Sequence, residues 1–202
     1  MKTTLVLGCA AGLVLALATI PARADTTATL ANLQKAFEGE SNASHRYAAF
    51  AKKAEQEGEK QAARLFKAAA KAESIHAAKH KKTIESLGGK AQEVKLAEVR
   101  PGSTKENLEA SIKGESEERD VMYPGFIKQA ETDNAPAAVK SFTWAVKAEA
   151  EHAKLYAEAV KNLGKGLDTG YSVCPRCGNT LPGEATQDCV VCDEPAKEFL
   201  AF

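Results

Sequence analysis

From about Thr27 to Leu163, apolar and polar positions recur in steps of three and four, the period of amphipathic helices, and breakers cut this stretch into four segments. The first predicted helix runs from Thr27 to about Glu57 and stops at Gly58. The second covers about Glu59 to Leu87 and is closed by Gly88-Gly89. Residues 90–102, with Pro101, are too long for a tight helical hairpin and predict a crossover connection. Ser103-Thr104-Lys105-Glu106 has the capping-box spacing and opens a third helix reaching about Glu131. Asp133-Asn134-Ala135-Pro136 then supplies a stop, a cap and a first-turn proline for a fourth helix ending at Gly164. The remainder, to Phe202, has no helical period and reads as a loop-rich tail.

The inward stripe of each helix is interrupted by charge. Leu30, Leu33, Phe37, Glu40, Ser44, Tyr47, Ala51 and Ala54 share one face of the first helix, and Phe66, Ala69, Glu73, His76, His80 and Leu87 one face of the second. The third gives Leu108, Ile112, Glu115, Met122 and Phe126, with Glu118 a turn beyond Glu115. The fourth gives Phe142, Ala145, Glu149, His152, Tyr156, Ala159 and Leu163. Burying an isolated carboxylate is so costly that acids converging at one level require cations to hold them. Two hairpins joined by one long crossover form a ferritin-like four-helix bundle, so the predicted fold class is all-α.

Two Glu-x-x-His pairs turn this from charge to coordination. At that spacing Glu73 with His76, and Glu149 with His152, present a carboxylate and an imidazole to the same ion. With single glutamates from the other two helices, Glu40 and Glu115, they complete the donor set of di-metal carboxylate bundles. His45 lies off its stripe and reads as a surface residue. His80, on the seam one turn past His76, reads as a group behind the ligands or as a satisfied core histidine.

The tail has its own chemistry. Cys174-Pro-Arg-Cys177 and Cys189-Val-Val-Cys192, with eleven residues between the pairs, are two knuckles that present four sulfurs to one tetrahedral metal. So short a segment cannot build its own core, and metal binding supplies its folding energy. Zinc and iron both suit four thiolates, and two disulfides are a third possibility.

Composition changes the picture at the start of the chain. Met1-Lys2, an uncharged apolar run from Leu5 to Ile20, and Ala22-Arg23-Ala24 have the layout of a cleavable secretory signal, so residues 1–24 are expected to be removed and the mature chain to begin at Asp25. The apolar run is sixteen residues, against roughly 20 for a bilayer span, so no stable membrane anchor is expected after cleavage. Export predicts a periplasmic location, and the lack of paired arginines predicts metal loading after transport. Cleavage removes Cys9, leaving four cysteines, and removes Lys2 and Arg23, leaving 25 basic against 27 acidic residues and a charge near −2. Such a balance gives no field for a phosphate backbone, and no nucleic-acid partner is expected.

Phe37-Glu38-Gly39-Glu40-Ser41 with Tyr47, Glu73-Ser74-Ile75-His76, Gly114-Glu115-Ser116-Glu117-Glu118, Met122-Tyr123-Pro124-Gly125-Phe126, Glu149-Ala150-Glu151-His152 and the Cys174 to Cys192 tail together resemble a rubrerythrin over essentially all of residues 27–202. The resemblance implies a bundle over 25–166 and a rubredoxin-like four-cysteine domain over 167–202. It implies that Glu40, Glu73, His76, Glu115, Glu149 and His152 ligate two irons and that Glu118 exchanges with His76 when the irons change oxidation state. Tyr47 and Tyr123 match tyrosines that hydrogen-bond the ligating carboxylates, and Pro124 is expected to kink helix three. The implied activity is reduction of hydrogen peroxide to water in oxidative-stress defence. Electrons come through an iron held by Cys174, Cys177, Cys189 and Cys192, passing between subunits of a head-to-tail homodimer and fed by an external donor of unknown identity. The competing expectation is an iron-oxidising or iron-storing bundle with a structural zinc ribbon. Three tail residues depart from the family pattern: Asn179 replaces an aromatic, Val190 a proline and Asp193 a glycine. Export is a fourth departure, because rubrerythrins are mostly cytoplasmic.

Overall fold

The computed structural model describes residues 25–202, so the expected signal segment and Cys9 lie outside the described residues. Helix α1 (Thr27–Gln56) and α2 (Lys60–Ser86) form the first hairpin, turned by Gly58 at φ +78°. The crossover runs along α1, where Ala97 N–H donates to Asn42 Oδ1 at 2.8 Å and Gln92 N–H donates to Gln34 Oε1 at 2.9 Å. The predicted capping box is present: Ser103 accepts from Glu106 N–H while Glu106 accepts from Ser103, and α3 (Thr104–Glu117) starts there. Thr104 N–H also donates to Glu57 Oε2 at 2.7 Å, tying the start of α3 to the end of α1. Among the described residues no helix is long and apolar enough to cross a membrane.

The third predicted helix is not one regular helix. After α3 the chain makes a π turn over Glu118–Met122, with Tyr123 N–H bonded to Glu118 C=O, before α4 (Tyr123–Thr132) resumes the α period. The extra residue in that turn moves the inward position from Met122, where an unbroken helix would put it, to Tyr123. Tyr123 is fully buried and Met122 only partly so. Pro124 therefore falls in the first turn of α4, where its missing N–H costs little, directly after the π turn that interrupts the third predicted helix. Asn134 in the left-handed region leads into α5 (Pro136–Asn162). Asp133 reaches across to accept from Thr29 N and Oγ1, at 3.1 and 2.7 Å, which closes the start of α1.

The apolar interior divides into two clusters, one around Tyr47, Phe50, Phe66, Leu108 and Tyr156, the other around Leu33, Ile84, Tyr123, Phe126 and Phe142. On every helix the acid of the seam falls between them: Glu40 between Ala36 and Ala43, Glu73 between Ala72 and Ile84, Glu115 between Leu108 and Tyr123, Glu149 between Ala145 and Leu155. The charged level is thus sealed above and below by apolar packing. Beyond Asn162 the chain turns through Gly164 and Gly166, so the expected boundary after residue 166 falls inside this connection. The tail is a three-stranded antiparallel sheet ordered β2-β1-β3, with β1 Tyr171–Val173, β2 Thr180–Pro182 and β3 Leu200–Ala201. Tyr171 and Val173 pack into the bundle cluster that holds Tyr47 and Phe66, so the tail docks on the bundle of its own chain.

Candidate metal centres

Six of the predicted donors meet in the middle of the bundle. Donor atoms of Glu40, Glu73, His76 and Glu149 lie within 4.8 Å of one another, as do those of Glu73, Glu115, Glu149 and His152. Glu73 and Glu149 belong to both sets, so the six residues describe two adjoining positions with two carboxylates common to both. All six are at most 2% exposed. Tyr47 Oη donates to Glu115 Oε1 at 2.5 Å and Tyr123 Oη donates to Glu40 Oε1, as the resemblance implied.

The imidazoles are set by the tail. His76 Nε2 is 2.9 Å from the backbone oxygen of Cys177, which can only accept, so that nitrogen carries the proton and Nδ1 faces the carboxylates. His152 Nε2 is 3.0 Å from Thr180 Oγ1, whose own proton goes to Gly178 C=O, so His152 also donates through Nε2 and turns Nδ1 inward. Sequence reasoning missed Thr180 and the Cys177 carbonyl, because their partners lie across a domain junction that no local pattern announces.

Cations fit this arrangement. Glu40 Oε2 and Glu115 Oε2 are buried with no hydrogen-bond partner, and Glu73 Oε1 and the two oxygens of Glu149 face only the inward Nδ1 atoms of His152 and His76, at 2.9 to 3.1 Å. Such a set of lone pairs facing one another is stable only around positive charge. Protons fill that role in the metal-free chain. Burial and the nearby charges of Glu149 and Glu73 push Glu115 up to about 8, and the same causes raise Glu40 well above the usual carboxylate range. Burial opposes charge on His76 and His152, but the facing carboxylates outweigh it and raise both. Burial also works against Glu149, yet His76 and His152 hold it below the usual range.

Glu118, in contrast, is not brought into either set. His76 already stands at the place the two would exchange, its Nδ1 2.8 Å from Glu73 and 3.1 Å from Glu149. The π turn leaves Glu118 half-buried beside a cavity of about 610 Å³ lined also by Lys35, Met122 and Phe126. Burial and the charges of Glu40 and Glu115 raise its pKa well above the usual range. His45 is exposed, as expected. His80 is a buried histidine with two partners, Tyr123 and Ser141.

In the tail all four sulfurs come together. Cys174 and Cys192, and Cys177 and Cys189, have their Sγ atoms 3.5 Å apart, far from the 2.05 Å of a disulfide and near the roughly 3.8 Å edge of a tetrahedron of 2.3 Å metal–sulfur bonds. The four cysteines are free, so the disulfide alternative is not what the fold forms. The two knuckles share one backbone pattern. Gly178 N–H donates to Cys174 C=O at 3.0 Å, and Asp193 N–H to Cys189 C=O at 2.8 Å, both residues being left-handed. Asp193 at φ +59° therefore does the work of the glycine it replaces. Hydrogen bonding from Cys177 pulls Cys174 down to about 5, while burial pushes Cys192 up to about 12.

A four-helix bundle with this carboxylate and imidazole level, docked to a four-cysteine knuckle domain, is a ferritin-like di-iron protein with a rubredoxin-like tail. The Rubrerythrin family profile matches residues 31–160. Nigerythrin of Nitratidesulfovibrio vulgaris (strain Hildenborough) is 36% identical over 174 residues, covering 86% of each chain. Rubrerythrin-1 of Clostridium acetobutylicum is 34% identical over 182 residues, covering 86% of this chain and 93% of its own. A structure of nigerythrin in its fully reduced, all-ferrous state superposes with a TM-score of 0.80 over 86% of each chain at 36% identity. A bacterioferritin of Desulfovibrio desulfuricans shares the fold alone, at 22% identity, 71% and 83% coverage, and a TM-score of 0.64. The chain belongs to the rubrerythrin family, whose members are typically di-iron oxidoreductases, and its cofactors are a di-iron centre and an iron at the four-cysteine site.

Proposed function

We propose that this protein is an exported peroxide reductase that defends against oxidative stress. The observation that carries the reading is the position of His76, whose Nδ1 belongs to the carboxylate cluster and whose Nε2–H bonds the Cys177 backbone oxygen at 2.9 Å. One imidazole thus connects a one-electron thiolate site to a two-electron site, the connection that a reductase fed from outside requires.

Glu40, Glu73, His76 and Glu149 would hold one iron, and Glu73, Glu115, Glu149 and His152 the other, with Glu118 available from the adjoining cavity. Cys174, Cys177, Cys189 and Cys192 would hold the third. When bound, the ferrous pair supplies the two electrons that cleave the peroxide O–O bond, in the balance H2O2 + 2 H⁺ + 2 e⁻ → 2 H2O. The protein's own part is positional. Tyr47 and Tyr123 fix the outer carboxylates through their hydroxyls, and Cys177 and Thr180 fix the ring tautomers. The two apolar clusters exclude bulk water from the charged level. Electrons enter at the tail from an external donor. Cys192 is the one cysteine of the four not fully buried and offers the exposed edge of that site.

The layout of residues 1–24 supports export, which would put this chemistry in a periplasm with the mature chain starting at Asp25. The head-to-tail homodimer remains part of the proposal. The only covalent link between the bundle helices and the tail sheet is residues 163–170, so two copies exchanging tails would make the same His76–Cys177 junction. Anaerobic addition of hydrogen peroxide to the reduced, iron-loaded protein tests the reading: two reducing equivalents should be lost per peroxide, with the ferric thiolate colour appearing in step. Absence of peroxide consumption with both centres filled would refute it. Rapid oxidation of ferrous iron by a protein with a colourless, zinc-filled tail would support the iron-oxidising alternative.

A further inference from the structure

Behind Glu40 lies a line of hydrogen bonds that metal binding does not require. Tyr123 Oη donates to Glu40 Oε1. That phenol has one proton, so its 3.1 Å contact with His80 Nε2 is made by the proton on the ring nitrogen. His80 Nδ1 then carries the lone pair and accepts from Ser141 Oγ at 2.9 Å. Every donor in the series points the same way, from Ser141 through His80 and Tyr123 to Glu40. All four side chains are at least nine-tenths buried. Burial beside the rings of Tyr123 and Phe142 disfavours charge on His80, which keeps the ring neutral as this order demands. At the outer end Ser141 borders a cavity of about 260 Å³ between α2 and α5, lined also by Lys79, Lys82, Thr83, Lys140 and Trp144.

Packing does not account for the pair of polar residues. His80 sits among the rings of Phe142 and Tyr123, at 5.5 and 5.9 Å between centroids, where a leucine would fill the space with nothing left to satisfy. Neither His80 nor Ser141 belongs to the ligand sets. What the series provides is a continuous path between a surface cavity and the one carboxylate that α1 contributes.

We propose that Ser141, His80 and Tyr123 relay protons from this cavity to Glu40, supplying the di-iron site. The proposal rests on the peroxide-reduction reading, which consumes two protons per peroxide. In one passage Ser141 gives its hydroxyl proton to His80 Nδ1, His80 gives its Nε2 proton to Tyr123, and Tyr123 gives its own to Glu40 Oε1. Cavity water restores Ser141. One proton enters, one arrives, and no electron moves. The relay resets when the two hydroxyls turn and the ring regains its Nε2–H form.

His80→Gln separates relay from scaffold, because a glutamine amide can donate to Tyr123 and accept from Ser141 but does not hand a proton on. His80→Leu removes both bonds and keeps the volume. Both variants should load iron normally, keep KM for peroxide, and lose about tenfold or more in kcat. A glutamine variant that turns over like the native chain while the leucine variant is merely less stable would overturn the relay. A second measurement does not depend on peroxide. In the full chain loaded with zinc, nitrogen-15 NMR should show His80 as the neutral Nε2–H form, its proton exchanging with water about tenfold faster than in Ser141→Ala. Equal exchange rates would overturn the relay even where peroxide is reduced. Fast, Ser141-dependent exchange in a chain that reduces no peroxide would uphold the relay and refute only the peroxide reading.

Discussion

A β-carbon on Gly178 would stand 2.3 Å from His76 Nε2 and 2.9 and 3.1 Å from two carbons of the same ring. The glycine is needed twice, because its backbone also turns through φ +79° to close the first cysteine knuckle. Gly178→Ala should therefore weaken docking of the tail on the bundle, at a cost on the order of 1–3 kcal/mol. Both centres still fill with metal. The measurement is anaerobic stopped-flow: peroxide should oxidise the di-iron site at the native rate while oxidation of the thiolate iron lags. Native rates for both would show that the junction does not carry the electrons.

The four bundle helices and all six clustered carboxylate and imidazole donors were legible in the sequence, because a carboxylate at a core position of a 3.6-residue period has few explanations. Tyr123 and Met122 show what was not. A π turn is a one-residue insertion with no composition of its own, so periodicity carried through it placed Met122 inward, and only the family resemblance singled out Tyr123. Thr180 was missed for another reason. Its bond to His152 joins positions 28 residues apart on either side of a domain junction, and nothing local encodes that encounter. His80 was seen on the seam, but its line to Glu40 depends on three helices meeting.

The clustered acids set the pH response of the metal-free protein. Glu115 is raised to about 8 in the folded chain, from an ordinary value of 4.5. Between those values the folded chain keeps a proton that the unfolded chain has lost, so this contribution to stability is complete below about 4.5 and gone above about 8. His76 and His152 act in the same sense, since both are raised when folded. The metal-stripped chain should melt at least about 3 °C lower at pH 8 than at pH 5. Iron displaces those protons, so the loaded chain should show the opposite trend. Differential scanning calorimetry of both forms measures it, and a stripped chain that gains stability toward pH 8 would contradict the proton-for-metal exchange.

Removing one Glu-x-x-His pair should empty the bundle without touching the tail. Glu73 reaches both ligand sets and His76 one, so Glu73→Ala with His76→Ala leaves neither position enough donors. Iron content should fall from about three per chain to about one, with the thiolate absorption intact, because the four cysteines form their own closed shell. Metal analysis beside the absorption spectrum decides the matter. An unchanged iron count would remove Glu73 and His76 from the site.

Asp193 offers a gain rather than a loss. It stands at φ +59°, a conformation that costs a side chain free energy and costs glycine almost none, and its N–H closes the second knuckle on Cys189 at 2.8 Å. Asp193→Gly removes that strain but adds freedom to the unfolded tail, so the net stabilisation should be modest, about 0.5 kcal/mol. The same change removes a carboxylate two residues from the Val191 backbone and one from Cys192, the partly exposed sulfur. Losing that negative charge beside a four-thiolate iron favours the reduced, more negative state, so the reduction potential should rise. Redox titration of the thiolate absorption, together with the rate of metal loss to a chelator, reads both effects. A variant that loses metal faster than the native chain would show that the aspartate side chain, and not merely its backbone, supports the knuckle.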